Sequence, residues 1–169
     1  MWHSESYTDT GQRRSINEDA VLDLHEQQLW LVADGMGGHS NGDYASQLLT
    51  RTLRQFQASR LPAVSKARLV KSLDDCNAQL LAKADKEQVD VIGCTVVLLQ
   101  ARNDSLLCSW SGDSRAYRLR NGELLQMTRD HSQQSAVEDR AQFLPKVAEC
   151  LKAWLPKKTK IDVCWAVSI

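Results

Sequence analysis

Two short apolar runs near the start of the chain restrict its fold more than any other feature. Residues 18–24 and 28–33 are rich in Val, Leu and Ala, and only His25, Glu26 and Gln27 separate them. Two runs of strand length joined by so short a connection predict a hairpin of buried β-strands. The second run continues into the glycine-rich segment 34–38, so the hairpin is predicted to end in a tight turn.

Helical periodicity follows this turn. Apolar residues recur at helical spacing across 45–56, and Ser40 or Asn41 is a suitable residue to cap the start of the helix. Pro62 is expected to lie in the next loop. A second helix is predicted over about 65–86, where apolar residues again fall on one face.

Strand-like segments return in the second half of the chain, at 91–99, 106–110, 116–119 and 123–127. Asn121-Gly122 joins the last two, and this dipeptide is a strong signal for a tight β-hairpin. The order of strands, two helices and strands predicts an α+β fold, with a mostly antiparallel β-sheet flanked by helices.

The C-terminal segment carries two further patterns. Pro145 is placed at the start of a helix that runs to about Trp154, and residues 161–169 alternate in the manner of a half-buried strand. A single domain is predicted over 1–169, because one core suits a chain of this length.

Composition excludes several classes of protein. Lys plus Arg number 21 and Asp plus Glu also number 21, so no charge excess favours nucleic acid or a membrane surface as a partner. The five cysteines show no C-x-x-C spacing and are interpreted as reduced, mostly buried thiols in a cytoplasmic protein. No signal peptide and no membrane span is expected from the apolar runs.

Acidic residues occur where strands are predicted to begin or end. Glu18 and Asp19 open the first strand, Asp34 closes the second, and Asp113 lies at a bend between two later strands. Pairing of the first two strands would bring their acidic residues to one end of the sheet, and hard cations such as Mg²⁺ and Mn²⁺ prefer carboxylate and carbonyl oxygens. The alternative is that each Asp-Gly pair is only a turn, which is the commoner role of an isolated pair.

Five sequence motifs, taken together, resemble those of bacterial type 2C protein phosphatases. They span residues 8–19, 32–39, 93–95, 112–117 and 128–132, and they occur in the order and with the spacing of that family. The similarity covers roughly residues 5–133. It implies the family's four-layer α/β/β/α fold, incomplete in one interpretation of the tail, and hydrolysis of phosphoserine and phosphothreonine with two bridged Mn²⁺ or Mg²⁺ ions that activate a water molecule.

The resemblance also implies metal ligands. Asp34 would bridge the two ions, Gly35 would contribute its carbonyl oxygen, and Glu18 would hold one ion directly or through water. Asp113 would serve an accessory third ion, and Asp19 would support the site from behind the ligands.

The same resemblance assigns other roles. Arg14 would bind the substrate phosphate, because a guanidinium group matches phosphate oxygens bidentately. Met36 stands where some relatives carry a histidine that acts as a general acid, so water would have to donate the proton here. Asp130 and His131 are interpreted as residues that support the fold, and Cys94 as a core residue.

The similarity is expected to fade over 134–169, where no second Asp-Gly pair occurs. One interpretation is an internally shortened or frameshifted product with an incomplete metal site. The other is a divergent C-terminal segment in which Asp162 is a substitute metal ligand. The first is favoured, because the loss of a carboxylate weakens cation binding.

Three functions follow from these interpretations. The first is a protein serine/threonine phosphatase that acts on phosphorylated proteins, with a Ser/Thr kinase or its targets as partners. The second is a non-catalytic module that binds phosphoproteins, and the third is an inactive remnant. Turnover that depends on Mn²⁺ and on Asp34 separates the first function from the other two.

Overall fold

The computed structural model describes residues 2–12, 14–37, 41–59, 61–102, 105–131 and 163–167. It is an α+β fold of two helices and two antiparallel sheets, as predicted. The elements, in chain order, are β1 (Asp19–Leu24), β2 (Leu29–Met36), α1 (Asn41–Arg54), α2 (Pro62–Glu87), β3 (Gly93–Cys94), β4 (Val96–Arg102), β5 (Ser105–Ser111), β6 (Arg115–Arg120), β7 (Glu123–Gln126) and β8 (Val163–Val167).

The larger sheet has the strand order β1-β2-β4-β5, and the short strand β3 extends β4 along β2. Its first hairpin is the one predicted, with Leu24 paired to Leu29 at the turn and Asp19 paired to Asp34 at the open end. A single 3₁₀ turn over His25–Gln27 connects the two strands. The hairpin therefore fixes which residues of β1 and β2 share the open end.

The smaller sheet has the order β7-β6-β8. Asn121 and Gly122 have φ angles of +51° and +80° between β6 and β7. Two successive left-handed residues are the signature of a type I′ turn, which matches the twist of the flanking strands. The predicted Asn-Gly hairpin is confirmed. The predicted strand over 161–169 is described at 163–167, where it pairs with β6.

Alternation along the strands gives the larger sheet two buried faces. One face carries Leu29, Leu31 and Leu98 and packs against α1 and α2. The other carries Val97 and Leu99 and packs with Ala116 of the smaller sheet. Helices, larger sheet and smaller sheet thus form three successive layers.

Three boundaries differ from those predicted. Pro62 is the first residue of α2 and not part of the preceding loop, because proline lacks only an N–H that the first helical turn leaves unused. α1 ends at Arg54, although Phe56 beyond it is buried in the core. The predicted strand 91–99 is divided at Thr95, which lies between β3 and β4.

Neither described helix combines the length and the apolarity that a membrane crossing requires. Cys76 and Cys94 carry free thiols, the state that was expected of the cysteines. The helix predicted from Pro145 lies outside the described residues.

Candidate metal and phosphate site

The open end of the first hairpin brings the two N-terminal acidic segments together, as predicted. Asp19 lies directly opposite Asp34 in the β1–β2 register, and the Gly35 N–H donates a hydrogen bond to the Glu18 carbonyl at 3.0 Å. Residues directly opposite each other have side chains on the same face of the sheet. Asp19 and Asp34 therefore share the face that is turned toward the smaller sheet.

Gly42, in the first turn of α1, lies against two oxygen atoms of this hairpin. A methyl group at Gly42 would lie 2.6 Å from Glu18 Oε1 and 2.8 Å from the Gly35 carbonyl oxygen. Both oxygens thus face the same small space beside the helix. Gly35 is equally constrained, since a methyl group there would lie 1.9 Å from the Gly42 carbonyl oxygen. The two glycines let the hairpin and the helix approach each other closely.

The start of α1 adds a favourable field to this arrangement. The first turn of a helix presents unpaired N–H groups and the positive end of the helix dipole, which stabilise a nearby carboxylate. Glu18 is placed there by the contact with Gly42. The start of the helix therefore provides a favourable position for the acidic side chain of Glu18.

Arg14 forms an ion pair with Glu18. The Arg14 side chain is 62% exposed and that of Glu18 is 19% exposed, so the guanidinium group lies on the solvent side of the pair. The residue predicted to bind phosphate and a residue predicted to bind metal are therefore in contact.

Asp113 lies at the same end of the sheet but farther along it. β5 is two strands from β2 in the sheet order, which corresponds to a separation on the order of 10 Å. The Asp113 side chain is exposed. Within the described ranges, no group of three or more His, Cys, Asp or Glu side chains could hold one metal ion. The structure thus brings Glu18 and Asp34 to one end of the hairpin and leaves Asp113 apart from them.

The segment after β7 closes over the turn that contains Asp113. The His131 N–H donates to the Gly112 carbonyl at 3.0 Å, and the Gly112 N–H donates to His131 Nδ1 at 3.2 Å. Arg115 donates three hydrogen bonds of 2.6 to 3.1 Å to the Asp130 carboxylate, which raises the pKa of Arg115 and lowers that of Asp130. These contacts agree with the predicted fold-supporting role of Asp130 and His131.

Cys94 lies opposite Gly35 in the β2–β3 register and packs against the core. Burial, together with the charges of Cys76 and Asp34, raises the pKa of the Cys94 thiol to about 12. A thiol that stays protonated is a poor nucleophile. Cys94 therefore packs against the core beside the site, which agrees with its predicted place in the core.

The oxygen atoms at this end of the hairpin fit a hard divalent cation. The Glu18 carboxylate and the Gly35 carbonyl face one space, and Asp34, the residue before Gly35, carries a second carboxylate on the other face of the same end of the hairpin. Mg²⁺ characteristically takes one or two carboxylates from a protein and keeps several water molecules. Asp162, the predicted substitute ligand, lies outside the described residues.

Gly42 and Thr95 contact the site, but the sequence reasoning did not assign them a role. For Gly42 a signal was present: glycine is costly inside a helix, so its occurrence in the first turn indicates a close approach by another group. For Thr95 the motif at 93–95 was a signal, but it did not indicate the contacts, because these come from residues distant in sequence.

Comparisons with known proteins bear on this site. The family model described as "Protein phosphatase 2C" matches residues 9–154. A relative, the serine/threonine phosphatase stp of Listeria welshimeri, is 35% identical over 138 residues, which cover 77% of this chain and 55% of that protein. The chain therefore spans about half the length of the curated relatives it matches.

Two solved structures extend the comparison. PppA, titled a key regulatory component of T6SS in Pseudomonas aeruginosa, has 36% identity and a TM-score of 0.73 and covers 95% of this chain and 68% of that one. The catalytic domain of the serine threonine protein phosphatase PstP, titled as a complex with two manganese ions, has 28% identity and a TM-score of 0.65. That alignment covers 94% of this chain and 69% of the PstP chain.

Proposed function

Because the chain belongs to the protein phosphatase 2C family, we propose that it hydrolyses phosphoserine and phosphothreonine on proteins, with Mn²⁺ or Mg²⁺ bound at the open end of the β1–β2 hairpin. The observation that carries this proposal is the convergence of the Glu18 carboxylate and the Gly35 carbonyl beside Gly42. Asp34 directly precedes Gly35 in β2, and Arg14 forms an ion pair with Glu18. The acidic residues that are proposed to bind metal and the Arg14 guanidinium group that is proposed to bind phosphate thus lie at the same end of the hairpin.

Each residue has a proposed role. Asp34 would be a ligand of both ions, Gly35 would offer its carbonyl oxygen, and Glu18 would hold one ion directly or through water. Asp113 would serve a third, accessory ion, and its position two strands away from Asp34 supports this separate role. Asp19, opposite Asp34, supports the ligands from the neighbouring strand.

Arg14 is proposed to bind the phosphoryl group of the substrate. Its guanidinium carries five N–H donors, so it can keep Glu18 as a partner and still present donors to phosphate oxygens. The ions, when bound, would supply a nucleophile at neutral pH and offset charge on the phosphoryl group. The substrate is a phosphorylated protein, and a Ser/Thr kinase or its targets remain the predicted partners.

A cytoplasmic location is also part of the proposal. It is supported by the free thiols of Cys76 and Cys94 in the part of the chain that the structure describes. Thiols persist in reducing compartments.

The test is a titration of Mn²⁺ into purified chain stripped of metal, with hydrolysis of a phosphothreonine peptide as the readout. Unaltered protein is expected to turn over, and Asp34→Ala is expected to fall to background. Asp74→Ala, an exposed aspartate on α2, is the matched control and should retain activity.

Absence of turnover from protein that unfolds cooperatively would contradict the enzymatic proposal. Binding of the phosphopeptide without turnover, lost in Arg14→Ala, would then establish the second candidate, a phosphoprotein-binding module. Absence of both turnover and binding would leave the inactive remnant.

A further inference from the structure

Thr95 occupies a central position at the end of the larger sheet. The β2–β3 and β2–β4 pairs keep one register, since Cys94 pairs with Gly35 and Val97 with Val32. Thr95 therefore lies opposite Asp34. On its other side, the β4–β5 register pairs Val96 with Ser111, so the next position along β5 is Gly112. Thr95 thus stands between the strand that carries Asp34 and the turn that carries Asp113.

Two hydrogen bonds connect Thr95 to the backbone of Asp34. The Thr95 N–H donates to the Asp34 carbonyl at 2.8 Å, and the Asp34 N–H donates to Thr95 Oγ1 at 3.1 Å. The side chain takes over an acceptor role that a strand carbonyl usually fills. Both backbone polar groups of Asp34 are therefore held by one residue.

The same side chain holds the turn that contains Asp113. Thr95 Oγ1 and Ser114 Oγ are 2.6 Å apart, and the two residues are only 7% and 2% exposed. The Thr95 methyl group lies under Gly112, where a Cβ atom would approach Thr95 Cγ2 to 2.7 Å. Gly112 has a φ of +100°, so glycine suits both this backbone conformation and this contact.

We propose that Thr95 is a positioning residue that fixes Asp34 and Asp113 relative to each other. This inference rests on the proposed function. Asp34 and Asp113 belong to different strands, and Thr95 contacts the backbone of the first and both neighbours of the second. His131 holds Gly112 from the opposite side through two hydrogen bonds. The turn is thereby clamped between Thr95 and His131.

The physical reason is the cost of an unsatisfied buried group. Removal of the Thr95 hydroxyl leaves the Asp34 N–H and the Ser114 hydroxyl without this partner in a nearly dry environment. Both segments must then shift to find new partners. Residues that orient metal ligands through such contacts typically change metal affinity by 10- to 100-fold when they are altered.

The experiment compares Thr95→Val, which keeps the shape but removes the hydroxyl, with Thr95→Ser, which keeps the hydroxyl. Mn²⁺ affinity is measured by calorimetry on the full chain without substrate. Amide hydrogen exchange at Gly112, whose N–H is bonded to His131, is measured on metal-free protein. Ser109→Ala is the matched control: Ser109 is also 2% exposed, and its hydroxyl has no hydrogen-bond partner in the described part of the chain.

We expect Thr95→Val to bind Mn²⁺ about 10-fold more weakly or worse, and to exchange the Gly112 amide faster, whereas Thr95→Ser and Ser109→Ala stay close to unaltered protein. Mn²⁺ affinity and Gly112 exchange that are both unchanged in Thr95→Val would overturn the inference. Faster exchange in Ser109→Ala to the same degree would also overturn it, since the effect would then reflect general destabilisation.

Two further results separate this inference from the proposed function. If unaltered protein binds no Mn²⁺, the proposed function fails, and Gly112 exchange in Thr95→Val alone decides whether Thr95 positions the two segments. If Thr95→Val does not fold, Ser114→Ala replaces it, because this change removes only the other half of the hydroxyl pair. Unchanged exchange and affinity in Ser114→Ala would then overturn the inference.

Discussion

At the scale of single residues, Gly42 makes the most specific contact with the candidate site. A methyl group there would meet the Gly35 carbonyl at 2.8 Å, and a backbone atom cannot move aside as a flexible side chain can. Gly42→Ala is therefore expected to displace Gly35 and Glu18 and to weaken Mn²⁺ binding at least about 10-fold, as changes around metal ligands generally do. Calorimetric titration of Mn²⁺ measures this effect.

Thermal unfolding, measured beside Mn²⁺ affinity, distinguishes a role of Gly42 at the site from a role in the helix alone. Alanine is favoured over glycine in a helix interior by about 1 kcal/mol, so a purely helical role for Gly42 predicts unchanged or higher stability and normal Mn²⁺ affinity. Gly93→Ala is the control, because a methyl group at Gly93 meets no atom within 4 Å. Normal Mn²⁺ affinity in Gly42→Ala would contradict the proposal that Glu18 and the Gly35 carbonyl bind a metal ion beside Gly42.

The sequence indicated that the two N-terminal acidic segments meet at one end of the hairpin, but it did not indicate the contacts around them. Pairing of Asp19 with Asp34 followed from two adjacent apolar runs, because a short hairpin connection leaves little choice of register. Contacts of Thr95 with Ser114 depend on three strands packed side by side. Periodicity in one segment carries no information about such neighbours.

At the scale of elements, the segment 128–131 is hydrogen-bonded both to β6 and to the turn that precedes β6. Asp130 accepts hydrogen bonds from Arg115, and these lower the pKa of Asp130 in the folded state. A carboxylate with a lowered folded-state pKa adds stability above its unfolded-state pKa of about 3.9 and loses that contribution as the pH falls through the folded-state value. Asp130→Asn is therefore expected to lower the unfolding midpoint at pH 7 and to match unaltered protein more closely in acid.

Asp75→Asn is the control for this prediction. Asp75 pairs with Lys71 on the exposed side of α2, where an ion pair between i and i+4 adds little stability. A series of thermal melts from pH 7 down to about pH 3 compares the variants. A midpoint difference for Asp130→Asn no larger than that for Asp75→Asn would contradict a stabilising role for the Arg115–Asp130 pair.

Sequence patterns located the elements but misplaced some ends. Phe56 continued the apolar stripe of α1 although the helix ends at Arg54, because a buried side chain can follow a helix as well as belong to it. Thr95 divides a strand that was predicted to be continuous, because its hydroxyl, and not its backbone carbonyl, accepts the hydrogen bond from the Asp34 N–H. The Asn121-Gly122 turn was predictable because both residues tolerate a left-handed backbone.

At the scale of the whole molecule, the larger sheet is shared by two cores. Neighbouring residues Val97 and Leu98 are both 0% exposed, and they point to opposite faces of β4. Burial on both sides explains why 96–101 is an almost unbroken apolar run without clear alternation. The apolar run thus matches a strand buried on both faces, but which layer covers each face depends on long-range packing.

A sheet that serves both cores predicts one cooperative unfolding transition. Leu98→Ala removes packing on the helix side and should cost about 2–5 kcal/mol, and Val97→Ala on the side of the smaller sheet should cost about 1.5–3 kcal/mol. Three of the five tryptophans, Trp2, Trp30 and Trp110, pack on the Val97 side. Among the described residues, tryptophan fluorescence therefore reports the Val97 side, whereas the helical signal in far-ultraviolet circular dichroism comes from α1 and α2 on the other side.

Both probes should give the same midpoint in urea for unaltered protein, and each substitution should lower that common midpoint. The reason is that β4 cannot lose one packed face without exposing the strand that supports the other. Leu81→Ala is the control, since Leu81 on α2 is 61% exposed and its truncation should change stability by less than about 0.5 kcal/mol. Separate midpoints for fluorescence and circular dichroism, with Leu98→Ala moving only the second, would show that the two cores unfold independently.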